Sequence, residues 1–339
     1  MLELPGIPID RRADAAPVPH TLGGQTLAFS PHVTFTPFAA VRPCSARCWF
    51  CSETLRPDAS PVLAASLRPG PAWLPSLERA LTNLRGLELG ISISGLEATD
   101  DPDWLETVLA TLEAHEAVSP VREKVLYTNG HGLAPETFGA RLVPCLVSYG
   151  LTRVEVSRHH DDATINDAIM RFRPGIAVAR SASFDATLAS LVARLHVRLV
   201  CIVQLGGIAT LDDVRRYLRW ARDHGVRDVV FRELSRVPSG YVRTRALRLV
   251  DERRVAIEPL VLAAFADGAF EAKSAIDGYY YWNVRFAFED IDVTFETSDY
   301  AVMKERHRSD VVHKLVFHGN GRLCRDWDPN AGVLLEPVS

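Results

Sequence analysis

The spacing of apolar and polar positions divides the chain into alternating elements. Residues 33–38 (Val-Thr-Phe-Thr-Pro-Phe) are β-branched and aromatic, which predicts a strand. Further strands are predicted over 87–94, 124–127, 152–157, 197–203 and 228–231. Helical periodicity fills the intervals. Asp101 and Pro102 offer a cap and a first-turn residue. Leu105, Val108, Leu109 and Leu112 follow at i, i+3, i+4 and i+7, one apolar helix face. Helices are also predicted over 74–84, 135–146, 163–171 and 183–195. Thr210-Leu211-Asp212-Asp213 resembles a capping box with Asp in place of Glu or Gln, and it opens another helix. Six strands alternating with helices predict an α/β fold with a parallel sheet. Periodicity does not decide between an open sheet and a barrel.

The texture changes at both ends. Residues 1–32 are rich in proline, glycine and alanine, and are expected to form an irregular lead-in. Residues 33–250 carry the alternating pattern. Residues 251–339 begin with a helix around 252–266 and turn β-rich: 279–288, 291–296 and 313–317 read as strands. His318-Gly319-Asn320-Gly321 reads as a hairpin turn. This last segment is expected to cap the open side of the core and help choose the substrate.

Composition narrows the function only slightly. Of 339 residues, 47% are hydrophobic and 24% charged, ordinary for a globular protein with a buried core. The net charge of -4 and the absence of a basic tail give no reason to expect a nucleic-acid partner. The first residues lack the basic and apolar regions of a signal peptide. No apolar run reaches the roughly 18 residues of a membrane helix. A soluble, cytoplasmic protein without membrane contact is therefore expected, in a reducing compartment that suits free thiols.

Three of the six cysteines carry the candidate chemistry. Cys44, Cys48 and Cys51 stand at C-x3-C-x2-C spacing within eight residues, just after the first predicted core strand. A loop so short brings the sulfurs together if it wraps around one centre. Thiolates select zinc, copper(I) or iron–sulfur clusters. One reading is a zinc loop closed by His32 or His20. The other is a cluster with one coordination position left open.

The stretch Cys44-Ser45-Ala46-Arg47-Cys48-Trp49-Phe50-Cys51 resembles the signature of the radical S-adenosylmethionine (radical SAM) superfamily, with Phe50 in its aromatic slot. That resemblance covers residues 33–235. It implies a partial (β/α)6 TIM barrel with a β-rich C-terminal extension. It also implies a 4Fe-4S cluster on Cys44, Cys48 and Cys51, whose fourth iron binds the amino and carboxylate groups of SAM. Ser94-Gly95-Leu96-Glu97-Ala98, one βα unit later, is similar to the family's Gly-Gly-Glu-Pro motif: Gly95 and Glu97 match, Leu96 and Ala98 depart. The resemblance implies that Gly95 and Glu97 serve the SAM amino group. It adds Asn129 after strand three, Ser157 after strand four and Arg171 downstream as further SAM contacts. An exposed helix arginine is an equal reading of Arg171.

The remaining candidates are less specific. His159 and His160 are proton-transfer or substrate groups, or loop histidines. Arg232 and Glu233 close strand six and face a ligand or form an ion pair. Arg158 or Arg232 offers a partner for a substrate carboxylate. Tyr281 is a pocket wall or core residue. Cys324 is a hydrogen-atom donor or an inert buried thiol.

The family chemistry is reductive cleavage of SAM to a 5′-deoxyadenosyl radical that takes a hydrogen atom from a substrate C–H, with the electron supplied by flavodoxin or ferredoxin. With only Cys324 in the last hundred residues, the multi-cluster peptide-modifying pattern is absent. The expected substrate is a small molecule, a sugar or nucleoside of an antibiotic pathway. Decarboxylation of a glucuronyl nucleoside, as in cytosylglucuronate decarboxylase, leads; epimerisation, dehydration and dehydrogenation stand beside it. Radical modification of a peptide or RNA, and a zinc-stabilised binding module, are the competing classes.

Overall fold

The computed structural model describes residues 4–51, 68–237 and 245–338. Within them the chain begins with β1 (Ile9–Asp10), β2 (Val18–Leu22) and β3 (Gln25–Phe38). Next come α1 (Trp73–Asn83), β4 (Leu89–Ile93), α2 (Pro102–Glu116), β5 (Val121–Thr128) and α3 (Gly139–Tyr149). The middle holds β6 (Arg153–Ser157), α4 (Ala163–Met170), α5 (Ser181–Val192), β7 (Val197–Val203), α6 (Leu211–Asp223) and β8 (Asp228–Glu233). The last part has α7 (Arg245–Arg253), α8 (Ile257–Ala266), β9 (Phe270–Asp277), β10 (Trp282–Phe288) and β11 (Ile291–Glu296). It ends with α9 (Tyr300–His307), β12 (Val311–His318), β13 (Leu323–Cys324) and β14 (Val333–Leu335).

β3 to β8 pair in sequence order, each parallel to the next. This is the repeated βα pattern that the periodicity predicts. Outward-facing strand residues such as Val154, Leu199 and Val229 are fully buried under helix residues such as Leu142, Leu188 and Leu218. Asp101 caps α2 by accepting from the Trp104 amide at 3.0 Å. Thr210 and Asp213 form a complete capping box on α6.

The two ends of the chain extend the sheet rather than lying across it. β11 adds to β8 in parallel, and β10 and β9 continue outward as a meander. On the other edge β12 adds to β3 in parallel, with Leu315 opposite Phe35. The His318–Gly321 turn then leads into β13, antiparallel to β12. The expected irregular lead-in instead contains a hairpin: β2 and β3 pair antiparallel through Gly23 and Gly24, both at positive φ. β1 crosses to the far edge, where Ile9 pairs with Ala275 of β9. The whole is a 14-stranded sheet among the described residues. Its two edges curl toward each other, because Lys314 of β12, Asn283 of β10 and Arg198 of β7 line one cavity. No helix among the described residues is long and apolar enough to cross a membrane.

The lumen is polar. On β5 to β7, residues of one parity (Glu123, Arg153, Glu155, Arg198) point inward, while Leu126, Val154, Val156 and Leu199 of the other parity pack in the apolar core under the helices. They form a chain of ion pairs. Arg153 reaches Glu123 and Glu155 at 2.8 Å, and Arg198 reaches Asp228 at 2.9 Å.

Candidate active site

The cysteine loop begins where β3 ends, at the carboxyl end of the parallel strands. Its backbone is tied down at several points. The Ser45 amide donates to Asp100 at 2.7 Å, and Asn129 Nδ2 donates to Ser45 Oγ at 2.8 Å. The Arg47 amide donates to the Met170 carbonyl, at the end of α4. Arg173 donates through Nε to the Cys44 carbonyl at 2.8 Å and through its amide to Ser45. Trp49 Nε1 donates to Gln204, just beyond β7, at 3.1 Å. Loops after β4, β5, α4 and β7 therefore all hold the cysteine stretch.

The three cysteines line one cavity of about 590 Å³, shared with Gly95, Glu97, Asn129 and Ser157. All three are free thiols. Two N–H groups aim at Cys44 Sγ, the Ala46 amide at 3.3 Å and Asn129 Nδ2 at 3.6 Å. Burial raises the Cys44 thiol well above its ordinary range and pushes Cys48 up to about 12. Thiolates in such a place call for the positive charge of a bound metal centre. Among the described residues no three His, Cys, Asp or Glu donors converge on a single-ion position. Three thiols bordering a cavity of this size, with N–H donors on one sulfur, fit a cluster and a small organic ligand side by side.

Glu97 lines the cavity, and its carboxylate is engaged by groups of the protein. Its carboxylate is buried and already accepts from Thr99 Oγ1 at 2.6 Å, Thr128 Oγ1 at 2.7 Å and the Asn129 amide at 2.6 Å. It ties the turn after β4 to the end of β5. Burial first, and Asp100 second, raise its carboxyl above the ordinary range against the pull of these donors. The turn itself is tight: Gly95 has φ +108 and Leu96 φ +50. A Cβ on Gly95 would meet the Phe38 ring at 2.7 Å.

A second cavity, of about 470 Å³, fills the lumen beside the first. Ser94, Tyr127, Tyr280 and Trp327 line both, so they form the wall between them. Arg232 and Tyr281 line this second cavity, and Arg232 is held by Glu296 at 2.6 Å.

Other sequence-predicted residues lie elsewhere. Arg158 is buried on the helix side of the sheet, its guanidinium over Phe184 and Trp220 and bonded to the His160 carbonyl. His160 Nδ1 accepts from the Asp162 amide. Neither lines the cysteine cavity or the lumen cavity, because Ser157 faces inward and the next residue faces out. His159 packs edge-on against Phe50 and accepts from the Ile202 amide; burial, then Arg158, pushes its imidazole down to about 3. Phe50 stands behind the loop, against Trp49 and His159. Glu233 pairs with Arg236 at 3.1 Å and caps the α8 start through the Ile257 amide. Cys324 is buried in β13 outside both cavities, its thiol pushed up to about 12 by burial. Arg171 is exposed, in a left-handed turn at the end of α4.

Arg173, two residues on, reaches the cavity instead, together with Arg47 of the cysteine loop. The turn at Arg171 reverses the chain, and helical spacing carries no signal for it. If the cysteines hold an iron–sulfur cluster, as proposed below, Arg173→Ala is expected to lower iron affinity by about tenfold through the lost bond to the Cys44 carbonyl, while Arg171→Ala leaves it unchanged. Iron retained after reconstitution and desalting reads the difference.

Neither a family model nor a curated protein sequence matches the chain. Solved structures do. Streptococcus suis SuiB bound to its precursor peptide SuiA is 13% identical, at a TM-score of 0.51, covering 91% of this chain and 63% of that one. SuiB bound to S-adenosylmethionine is 14% identical at 0.49, covering 88% of this chain and 61% of that one. This chain thus spans less than two thirds of SuiB. The likeness is one of fold: an α/β protein with a large parallel sheet and a β-rich extension.

Proposed function

We propose that the chain is a radical SAM enzyme acting on a small molecule. The observation that carries the reading is the meeting of Cys44, Cys48 and Cys51 with Gly95, Asn129 and Ser157 around one cavity, at the carboxyl ends of β3 to β6. Parallel α/β folds place their chemistry at that end. The three cysteines would hold a 4Fe-4S cluster, with SAM beside it against the turn after β4 and Ser157. Bound together and given one electron by an external reductant, these groups would supply methionine and a 5′-deoxyadenosyl radical able to take a hydrogen atom from a substrate C–H.

The chain's own residues do the rest. Asn129 and the Ala46 amide direct N–H groups at Cys44 Sγ and stabilise its thiolate. Glu97 locks the β4 and β5 turns in register and so fixes the cavity wall. Tyr127, Tyr280 and Trp327 stand between the two cavities and keep bulk water from the boundary where substrate and cofactor meet. The lumen holds the substrate.

Anaerobic reconstitution with iron and sulfide, reduction and addition of SAM is expected to yield 5′-deoxyadenosine. A colourless protein that retains zinc and leaves SAM intact would overturn the reading. Sugar and nucleoside uronates are the first substrates to screen, with loss of CO2 as the signal. A peptide substrate is the second reading, favoured by the precursor peptide on the SuiB structure of similar fold. Turnover with a peptide but with no small molecule would select it.

A further inference from the structure

Most cations of the lumen cavity are spoken for. Arg12 pairs with Asp10, Arg153 with Glu123 and Glu155, Arg198 with Asp228, and Arg232 with Glu296. Lys314 differs. It lies on β12, lines the same cavity and is only 6% exposed. Its ammonium donates to Thr34 Oγ1 at 2.9 Å and lies 5.2 Å over the Trp327 ring. No carboxylate pairs with it among the described residues. Three donors thus meet one hydroxyl and one aromatic face, an incomplete shell for a buried ammonium. Burial pushes its pKa down to about 7. A lysine placed only for packing would snorkel its charge to water; here the charge is directed into a cavity.

We propose that Lys314 is the anchor for an anionic group of the substrate, a carboxylate or a phosphate, seated in the lumen beside the wall that separates it from the cysteine cavity. Trp327 belongs to that wall and touches both spaces. An anion on Lys314 would therefore fix one end of the ligand close to the boundary. The assignment deepens the proposed function and depends on it only for what happens to the bound molecule; anion binding itself needs no cluster.

Calorimetric titration of the purified chain tests it with three probes: D-glucuronate, its neutral counterpart D-glucuronamide, and inorganic phosphate. Wild type is expected to bind at least one anion and to bind the amide more weakly. Lys314→Met is expected to raise the anion Kd about thirtyfold or more, and Lys314→Arg to keep most of the affinity. The tighter of glucuronate and phosphate tells carboxylate from phosphate recognition. Lys314→Gln serves if the methionine variant does not fold. Failure of both anions to bind wild type, or equal binding to wild type and the neutral variants, would overturn the proposal. If SAM cleavage fails while Lys314-dependent binding persists, the radical reading falls and the anion site stands.

Discussion

Cys48→Ala, reconstituted without oxygen and reduced, is expected to form no 5′-deoxyadenosine above background. The reason is local. Cys48 sits at the centre of the triplet, and the Cys51 amide bonds to its carbonyl at 3.1 Å. Removing its sulfur leaves two thiols, too few to hold a cluster in place. The loop backbone is fixed by Asp100, Asn129, Met170 and Arg173, so the fold survives the loss. The variant should therefore match wild type in its circular dichroism and thermal midpoint before reconstitution. Cys324→Ala and Cys145→Ala serve as controls, since neither residue lines the cavity. Turnover surviving in Cys48→Ala would show that the triplet is not the catalytic centre.

Glu97→Ala should cost about 3 kcal/mol or more in stability, read as a lower urea midpoint. The carboxylate gathers two hydroxyls and the Asn129 amide in a buried place, and removing it orphans these donors together. Glu97→Gln is a finer probe. It keeps one acceptor oxygen but turns an N–H group toward a neighbouring donor, so it should fall between alanine and wild type. The pH dependence has a definite sign. The folded-state pKa is raised by burial and by Asp100. The native state thus holds this proton more tightly than the unfolded chain. Its contribution to stability is full below the ordinary carboxylate range and is lost as pH rises through the raised value. Glu97→Gln should lack that component. An identical pH profile in the variant would mean that Glu97 does not titrate in this way.

The six core strands were legible because each is a buried β-branched run bounded by polar turns, and Asp101 and Thr210 announced their helices. The lumen was harder to read. Arg153, Glu155 and Arg198 alternate with apolar neighbours, and alternation ordinarily means a polar face toward water; Glu123 stands in the charged run Arg122-Glu123-Lys124, which also reads as solvated. Here the polar face turns inward, which follows only from the closing of the sheet. Strand parity could have sorted two pairs of candidates. Ser157 lines the cysteine cavity and Arg158 packs outward; Arg232 lines the lumen and Glu233 packs outward. The cysteine loop was visible because its chemistry is local in sequence. Lys314 was not, because its meaning depends on Thr34 and Trp327, which are distant along the chain or carry no motif of their own.

The pairing of β1 with β9 and of β12 with β3 joins segments from opposite ends of the chain. Neither contact can form until both distant segments have been made, and each closes a very long loop. The six-strand core can assemble progressively, but both of its edges stay bare until the final strands arrive. During that interval β3 exposes an unpaired, apolar backbone edge, open to association with other chains. Refolding should accordingly be slow and concentration-sensitive, with soluble yield set by how quickly the last strands seal the sheet.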